Sequence, residues 1–465
     1  MYTSSPGLVP RALALLAPAL LSGCTGTPIH EETAARRQAA VIEDSYRPGG
    51  KMHSLPILKP DSPAAEYLRF ALLKHPQVEA AYDDWRAAVE AITPARSLAD
   101  PQLVAQPNIT SGNTLAIMPG LMFDFMTRGK RAAMGREAAA ASDVAYREYA
   151  AAVMRTAAGA RKAWIELAYV DEALRLREDS LRTIDQSLAL ASAEYSTGSG
   201  PATLEAQALL LNRSGEQRVD LAALYDRRAA ARVRFKSALG LGPGDPDPPW
   251  PSFPLQATPL PPEGELWGAA ERVNPELASM RAMVDMAVAG VEVARASRTP
   301  DFSAGAMVDS MARPLPLRPS AAVTLPVWRD KIAAIIAGAE AKRDAAVARL
   351  GAEQVNLAAE IAQMLYMVRE ADRMIEYFDG VALPNLERSA ASSGAAYQSG
   401  LGGAAMIPET QLMVLGMRLE RIELLRQRET SVTDLLLMLA AVAPPGSPLL
   451  AGTASPPPQP SDLPP

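Results

Sequence analysis

Thiols are nearly missing from this chain of 465 residues: Cys24 is its only cysteine. That excludes an intrachain disulfide and a cysteine-held metal cluster. Aromatic residues are scarce as well, at 5%, too few for a compact core that leans on large rings. The three histidines are scattered, and no GxSxG elbow, Walker loop or HExxH pair accompanies them, so no triad or zinc site assembles and an enzyme is not expected. The stretch GLGPGDP, Gly240 to Pro246, is glycine-rich but broken by proline, and it reads as a loop. A net charge of −6 leaves no basic footprint, so nucleic acid is not an expected partner. Long apolar runs are also lacking. Past the N-terminus no window reaches the ~18 uninterrupted apolar residues of a spanning helix, so such a chain crosses a bilayer only as part of a closed β-barrel.

What is present begins at the N-terminus. Arg11 precedes the apolar run Ala12 to Leu21, which leads into Leu21-Ser22-Gly23-Cys24. The run has the length of a signal-peptide core. The tetrapeptide LSGC resembles the bacterial lipobox, which implies removal of residues 1–23 and lipidation of Cys24. Thr25 follows in place of the aspartate that retains such lipoproteins at the inner membrane, so sorting to the outer membrane is expected. Residues 24–60 then read as an extended tether.

Abundant alanine with dispersed charge points to long helices packed side by side, and the helices come in duplicate. HPQVEAAYDDW matches NPELASMRAMV, with Pro76 and Pro275 standing 199 apart. DPQLVAQPNIT matches TPDFSAGAMVDS, with Pro101 and Pro300 again 199 apart. TRGKRAA and WRDKIAA put Lys130 and Lys331 201 apart, and YSTGSG and YQSGLG put Tyr195 and Tyr397 202 apart. Landmarks in one order at nearly constant spacing mark an internal duplication. Repeat 1 covers 61–240 and repeat 2 covers 265–443; a proline-rich linker, 241–264, joins them and a proline-rich tail, 444–465, follows.

Each repeat predicts the same series. A helix of roughly 30 residues (64–98, 266–298) precedes a β-hairpin read from LVAQPNIT with LAIMPGLMFDFM, and from DFSAGAMVDS with SAAVTLPVW. A very long helix follows (131–195, 331–397), then a returning one (202–240, 405–442), with apolar residues at steps of three and four. Pro384 interrupts the second long helix and predicts a kink. The fold class is therefore mostly α, internally duplicated, with long helical hairpins and four strands per chain. Four strands do not close a barrel, and their edges need partners; three copies supply twelve.

With HPQVEAA, NPELASM, RTPDFSAG, TLPVWRDK and LPNLERSAASSGAAYQSG in this order, residues 64–442 resemble the TolC-like outer-membrane efflux proteins, in particular the lipidated members serving resistance-nodulation-division pumps. The resemblance implies a homotrimer with a twelve-stranded barrel and an α-barrel, and no cofactor. It implies a passive duct in the outer-membrane lipid, docked by a periplasmic adaptor that links it to an inner-membrane pump. Tyr195, Gly198 and Gly200, with Tyr397, Gly400 and Gly402, match the helix-tip turns that contact the adaptor. An acidic ring at the constriction maps onto Met406 and Glu409, of which Glu409 alone carries a charge. Pro384 and Gly380 are candidate hinge residues. Phe123, Phe125 and Trp328 fit either an aromatic girdle or packing at the strand–helix junction. Nineteen methionines, among them Met118, Met122, Met126 and Met134, fit soft-metal handling or gap-filling, and composition does not choose. The competing reading is a periplasmic coiled-coil adaptor or structural lipoprotein without a pore.

Overall fold

The computed structural model describes residues 27–46, 55–109, 115–198, 204–252, 254–260, 263–309, 317–399 and 406–441. The chain order is α1 (His30–Ser45), α2 (Ala64–Lys74), α3 (Pro76–Glu90), α4 (Ile92–Arg96), β1 (Gln102–Ile109), β2 (Leu115–Phe125), α5 (Arg128–Thr197) and α6 (Leu204–Ala238). The second half continues with α7 (Glu263–Val273), α8 (Pro275–Ala296), β3 (Asp301–Val308), β4 (Leu317–Thr324) and α9 (Arg329–Tyr377). A π-turn (Phe378–Ala382), α10 (Leu383–Gln398) and α11 (Met406–Met438) complete it. The chain divides into two compact units, one built from residues up to 37, 87–142 and 286–342, the other from 38–86, 143–285 and 343 onward. Among the described residues no helix is long and apolar enough to cross a membrane.

The expected helices of roughly 30 residues are each split at their proline. Pro76 and Pro275 open α3 and α8, because a first-turn residue loses nothing by lacking an N–H. The residue before each proline caps the new helix. Asn274 Oδ1 accepts from the backbone N–H of Glu276 and Leu277 at 2.9 and 3.0 Å, and His75 Nδ1 accepts from Gln77 N–H at 3.2 Å.

The first unit holds a four-stranded antiparallel sheet in the order β1-β2-β3-β4. It also corrects the extended tether. Residues 30–45 are helical, and the start of α1 is fixed by Glu32, which is 1% exposed. Its carboxylate accepts from Arg96, from Thr93 Oγ1 at 2.7 Å and from Arg36 Nε at 3.2 Å. Burial alone would raise this carboxyl; the hydrogen bonds from Arg96, Thr93 and Arg36 outweigh it and hold it down at about 2.

In the second unit the duplication reappears as packing. The repeat 1 core contains Ala71, Ala160, Leu167 and Phe235; the repeat 2 core contains Ala270, Ile361, Val368 and Leu435, the matching positions. Both returning helices end in the same cap. Leu241 N–H donates to Lys236 O at 3.1 Å and Ala441 N–H to Leu436 O at 2.8 Å, the six-to-one bond of a Schellman turn. Its left-handed residue is Gly240 in one repeat and Ala440 in the other, at φ 76° and 52°. Around the end of α1, Tyr46, Tyr82, Trp85, Tyr146 and Tyr149 form a buried ring cluster, with Trp85 stacked on Tyr149 at 5.7 Å.

The long helices are the main departure from simple repetition. α5 runs 70 residues without a break, about 105 Å at the α-helical rise. Its counterpart is α9 of 49 residues, a π-turn of 5 and α10 of 16. Leu383 N–H reaches back five residues to Phe378 O, and Pro384 follows as the second residue of α10. Pro384 has no N–H where an α-helix needs a donor to Gly380 O, and its ring crowds that carbonyl. The widened turn accommodates both.

Candidate functional site

The sheet sorts its residues cleanly by face. Strand alternation and the pairing of Leu103 with Leu121, Phe125 with Phe302 and Phe302 with Val323 put one set together. Leu103, Ala105 and Pro107 of β1 lie beside Ile117, Pro119, Leu121, Phe123 and Phe125 of β2. Phe302, Ala304, Ala306 and Val308 of β3 lie beside Leu317, Pro319, Ala321 and Val323 of β4. Every one is apolar, and Leu103, Ile117, Leu121, Phe125, Phe302, Val308, Leu317 and Val323 are exposed.

The opposite face carries Gln102, Gln106, Asp124, Asp301, Ser303, Arg318, Ser320 and Thr324 among small residues, methionines and Val104. Asp124 accepts from Ser303 Oγ at 2.6 Å and Gln102 Nε2 at 3.0 Å. Lys130 pairs with Asp301 at 2.6 Å and Arg318 with the buried Asp309 at 2.6 Å. β1 and β4 are unpaired at the sheet's two edges among the described residues. A bare apolar face, a polar reverse face and two open edges are what a segment of a lipid-embedded barrel needs. Trp328 stands 74% exposed beyond β4, and Phe123 stacks on Phe125 at 6.5 Å.

The two tyrosine turns share a hydrogen-bonding device. Thr197 Oγ1 donates to Ala193 O at 2.9 Å, and Ser399 Oγ donates to Ala395 O at 3.0 Å, a hydroxyl folded back onto the carbonyl four residues earlier; at the second turn it joins the backbone N–H of Ser399 on that same oxygen at 3.1 Å. Gly198 leaves α5 at φ 63°, the left-handed conformation glycine tolerates. Gln207 Nε2 donates across the turn to Ala191 O at 3.1 Å. Tyr195 is 53% exposed. Tyr397 lies on the last turn of α10 and Met406 opens α11; their side chains lie outside the described residues, as do Cys24, Gly200, Gly400 and Gly402. Glu409 is exposed in the first turn of α11, favourably placed for the helix dipole.

Gly380 occupies the middle of the π-turn, with Pro384 just after it. The turn is clasped to α11 by Phe378, Ala382 and Leu383 packed on Val414, and by Arg421, whose Nε and Nη2 donate to the two oxygens of Asp379 at 2.5 and 2.8 Å. Arg418 donates to Glu387 at 2.7 Å one step further along.

One cluster has no signature in the sequence. Thr258, in the proline-rich linker, donates from its N–H and Oγ1 to Glu429 at 2.9 and 2.6 Å. Arg428 Nη1 donates to Thr258 O at 3.0 Å and to Glu429 Oε1 at 2.7 Å, while its Nε donates to Asp372 at 2.5 Å. Arg161 Nη2 donates to Thr258 Oγ1 at 2.7 Å. A Thr in a loop and an Arg-Glu pair on a helix carry no mark of meeting across 171 residues.

Residues 266–441 match the family model described as Outer membrane efflux protein. No curated protein matches the chain. Among solved structures the chain is similar to the outer membrane protein VceC of Vibrio cholerae, at 18% identity and TM-score 0.66 over 82% of this chain and 96% of that one. It is similar to the CmeC outer membrane channel of Campylobacter jejuni, at 11% identity and TM-score 0.68 over 86% and 92%. The open state of the MtrE outer membrane channel of Neisseria gonorrhoeae gives 14% identity and TM-score 0.68 over 84% and 94%. The second repeat thus bears the sequence signature of the outer membrane efflux protein family, and the chain as a whole has the fold of these channels.

Proposed function

We propose that three copies of this chain form the exit duct of a tripartite efflux system in the outer membrane of a Gram-negative bacterium. The observation that carries the reading is the sheet: four strands with two open edges and a wholly apolar, exposed face. Three such sheets joined edge to edge make twelve strands, enough to enclose a lumen with the polar face inward. The duct is passive. Its substrates are those delivered by an inner-membrane pump through a periplasmic adaptor, and the adaptor docks at the turns around Tyr195, Gly198 and Gly200 and around Tyr397, Gly400 and Gly402.

Cys24 carries lipid that tethers the mature N-terminus to the outer membrane. Glu409, near Met406, supplies a ring of three carboxylates that favours cations at the narrowest point. Opening bends the second long helix at Gly380 and Pro384 and draws on the Asp379–Arg421 clasp.

The test is the mass of the mature, detergent-extracted particle by light scattering, corrected for detergent. A particle of three chains supports the shared barrel. A monomer after gentle extraction overturns it in favour of a poreless periplasmic lipoprotein. Cys24→Ser separates the two readings again, since a barrel still needs detergent without its lipid and a periplasmic protein does not.

A further inference from the structure

Methionine is dispersed in the sequence, but the sheet register gathers three on its polar face. Gly120 pairs with Met307 and Met122 pairs with Gly305; the Leu121–Ala306 pair between them points the other way. Each methionine lies across the glycine opposite. A Cβ on Gly120 would collide with Met307 Cγ, and one on Gly305 would fall 3.1 Å from Met122 Sδ. Met118 is two residues before Gly120 on the same face, so the Met307 side chain lies between Met118 and Met122. Met118 and Met307 are 7% and 9% exposed.

We infer that Met118, Met122 and Met307 form a thioether site for a soft monovalent cation, Cu(I) or Ag(I). Thioethers are soft donors that select Cu(I) over hard divalent ions. Unbranched methionine side chains can bring their sulfurs together without moving backbone, and the two glycines leave the space in which they lie. Asp124 follows Met122 on the same face with both oxygens already hydrogen-bonded, and supplies compensating negative charge nearby without replacing a thioether. Because the ligands are neutral, binding releases no proton and does not weaken in mild acid, unlike binding to histidine or thiolate. The site stands on the sheet alone. Its place in a lumen, where three copies would set three such sites at one level, rests on the channel reading.

The experiment uses the mature, lipidated protein in detergent and silver ion in chloride-free buffer. Bound silver is counted after equilibration for the wild type and for M118L/M122L/M307L, leucine being close to methionine in volume. The expected result is one silver fewer per chain in the variant, with the difference unchanged between pH 7.5 and pH 5.5. A second readout needs no variant. Hydrogen peroxide transfers one oxygen to a methionine sulfur and leaves water, and peptide mapping follows the sulfoxide. Silver should slow this at Met118, Met122 and Met307 by tenfold or more while leaving the exposed Met413 unchanged. Equal silver counts, or oxidation indifferent to silver at those three sulfurs, overturn the proposal. A failed channel reading shows separately, as silver bound normally by a particle that conducts no current in a planar bilayer.

Discussion

Replacing Glu429 with glutamine tests how the proline-rich linker is held. Glu429 is 2% exposed and Arg428 8% exposed, so this is a desolvated charge cluster. Removing one partner of a buried pair leaves the other uncompensated, at a cost of about 3–5 kcal/mol. Glutamine keeps one acceptor oxygen for Thr258 N–H, and Arg428 keeps Asp372, so the expected loss is smaller, about 2–3 kcal/mol. The effect should be local to the linker. The assay is hydrogen exchange by mass spectrometry on peptides covering 254–260, where the Thr258 amide reports the bond to Glu429 directly. At about 1.4 kcal/mol per factor of ten, its exchange should quicken roughly 30- to 150-fold. The double variant R428M/E429Q, which removes both charges, should recover more than half of the protection. An E429Q amide that exchanges within about threefold of wild type would refute the reasoning, and would assign the linker's order to its prolines and to Leu260 in the repeat 2 core.

Two further outcomes are expected. The Glu32 carboxyl is depressed from 4.5 to about 2 in the folded chain, so it stabilises above its unfolded value and that contribution fades as pH falls from about 4.5 toward 2; linkage puts it near 3 kcal/mol at neutral pH. Exchange protection in residues 30–45 should therefore drop over that acid window in wild type and should be low and flatter with pH in Glu32→Gln. At the matched Schellman turns, Ala440→Gly should stabilise by up to about 1 kcal/mol by relieving a left-handed alanine. Gly240→Ala should destabilise by more than that, since a Cβ there would fall 2.6 Å from His75 Cα; thermal unfolding of the two variants should shift in opposite directions.

Local chemistry made much of this fold readable. Pro76 and Pro275 punctuate helices, Asn and Gly flank hairpins, and the 3.6-residue pattern of α5 continues through seventy residues. The two-faced character of the sheet was harder to see. Pro107, Pro119 and Pro319 break the usual strand vocabulary, and Gly120 and Gly305 blur the alternation on the polar side. The register across strands resolves both. Helix α1 escaped because residues 30–45 are polar on average, and their order depends on Glu32 meeting Thr93 and Arg96 more than 60 residues away. The Thr258 clamp escaped for the same reason. Tip, lipid and constriction residues were reached through resemblance, and for Cys24, Gly200, Gly400 and Gly402 the described residues add nothing to it.

The π-turn, by contrast, had been written into the spacing. Lys130 and Lys331 are 201 apart, Tyr195 and Tyr397 are 202 apart, so repeat 2 has gained one residue between those landmarks. One extra residue in an α-helix rotates everything after it by about 100°, whereas a π-turn takes up a residue locally. The hydroxyl bonds show the phase restored: Thr197 to Ala193 and Ser399 to Ala395 stand 202 apart at both ends. The turn at Phe378–Ala382 is thus where the insertion is absorbed, and Pro384 holds it there by denying the ordinary α-helical bond. It follows that deleting Gly380 together with Pro384→Ala should leave a continuous α-helix with Tyr397 on its original face, and the particle should melt within about a degree of wild type. Deleting Thr183 from the unbroken α5 has no such compensation. It must swing either side of the helix by about 100°, carrying Ile184 and Ser187, 1% and 8% exposed, out of their packing. The loss of a buried isoleucine alone is about 2–5 kcal/mol, or roughly 2–5 °C in melting temperature for a chain of 465 residues, and every other buried residue turned out with it adds to that. Equal damage from the two deletions would mean that the π-turn is fixed by its contacts with α11 and not by the extra residue.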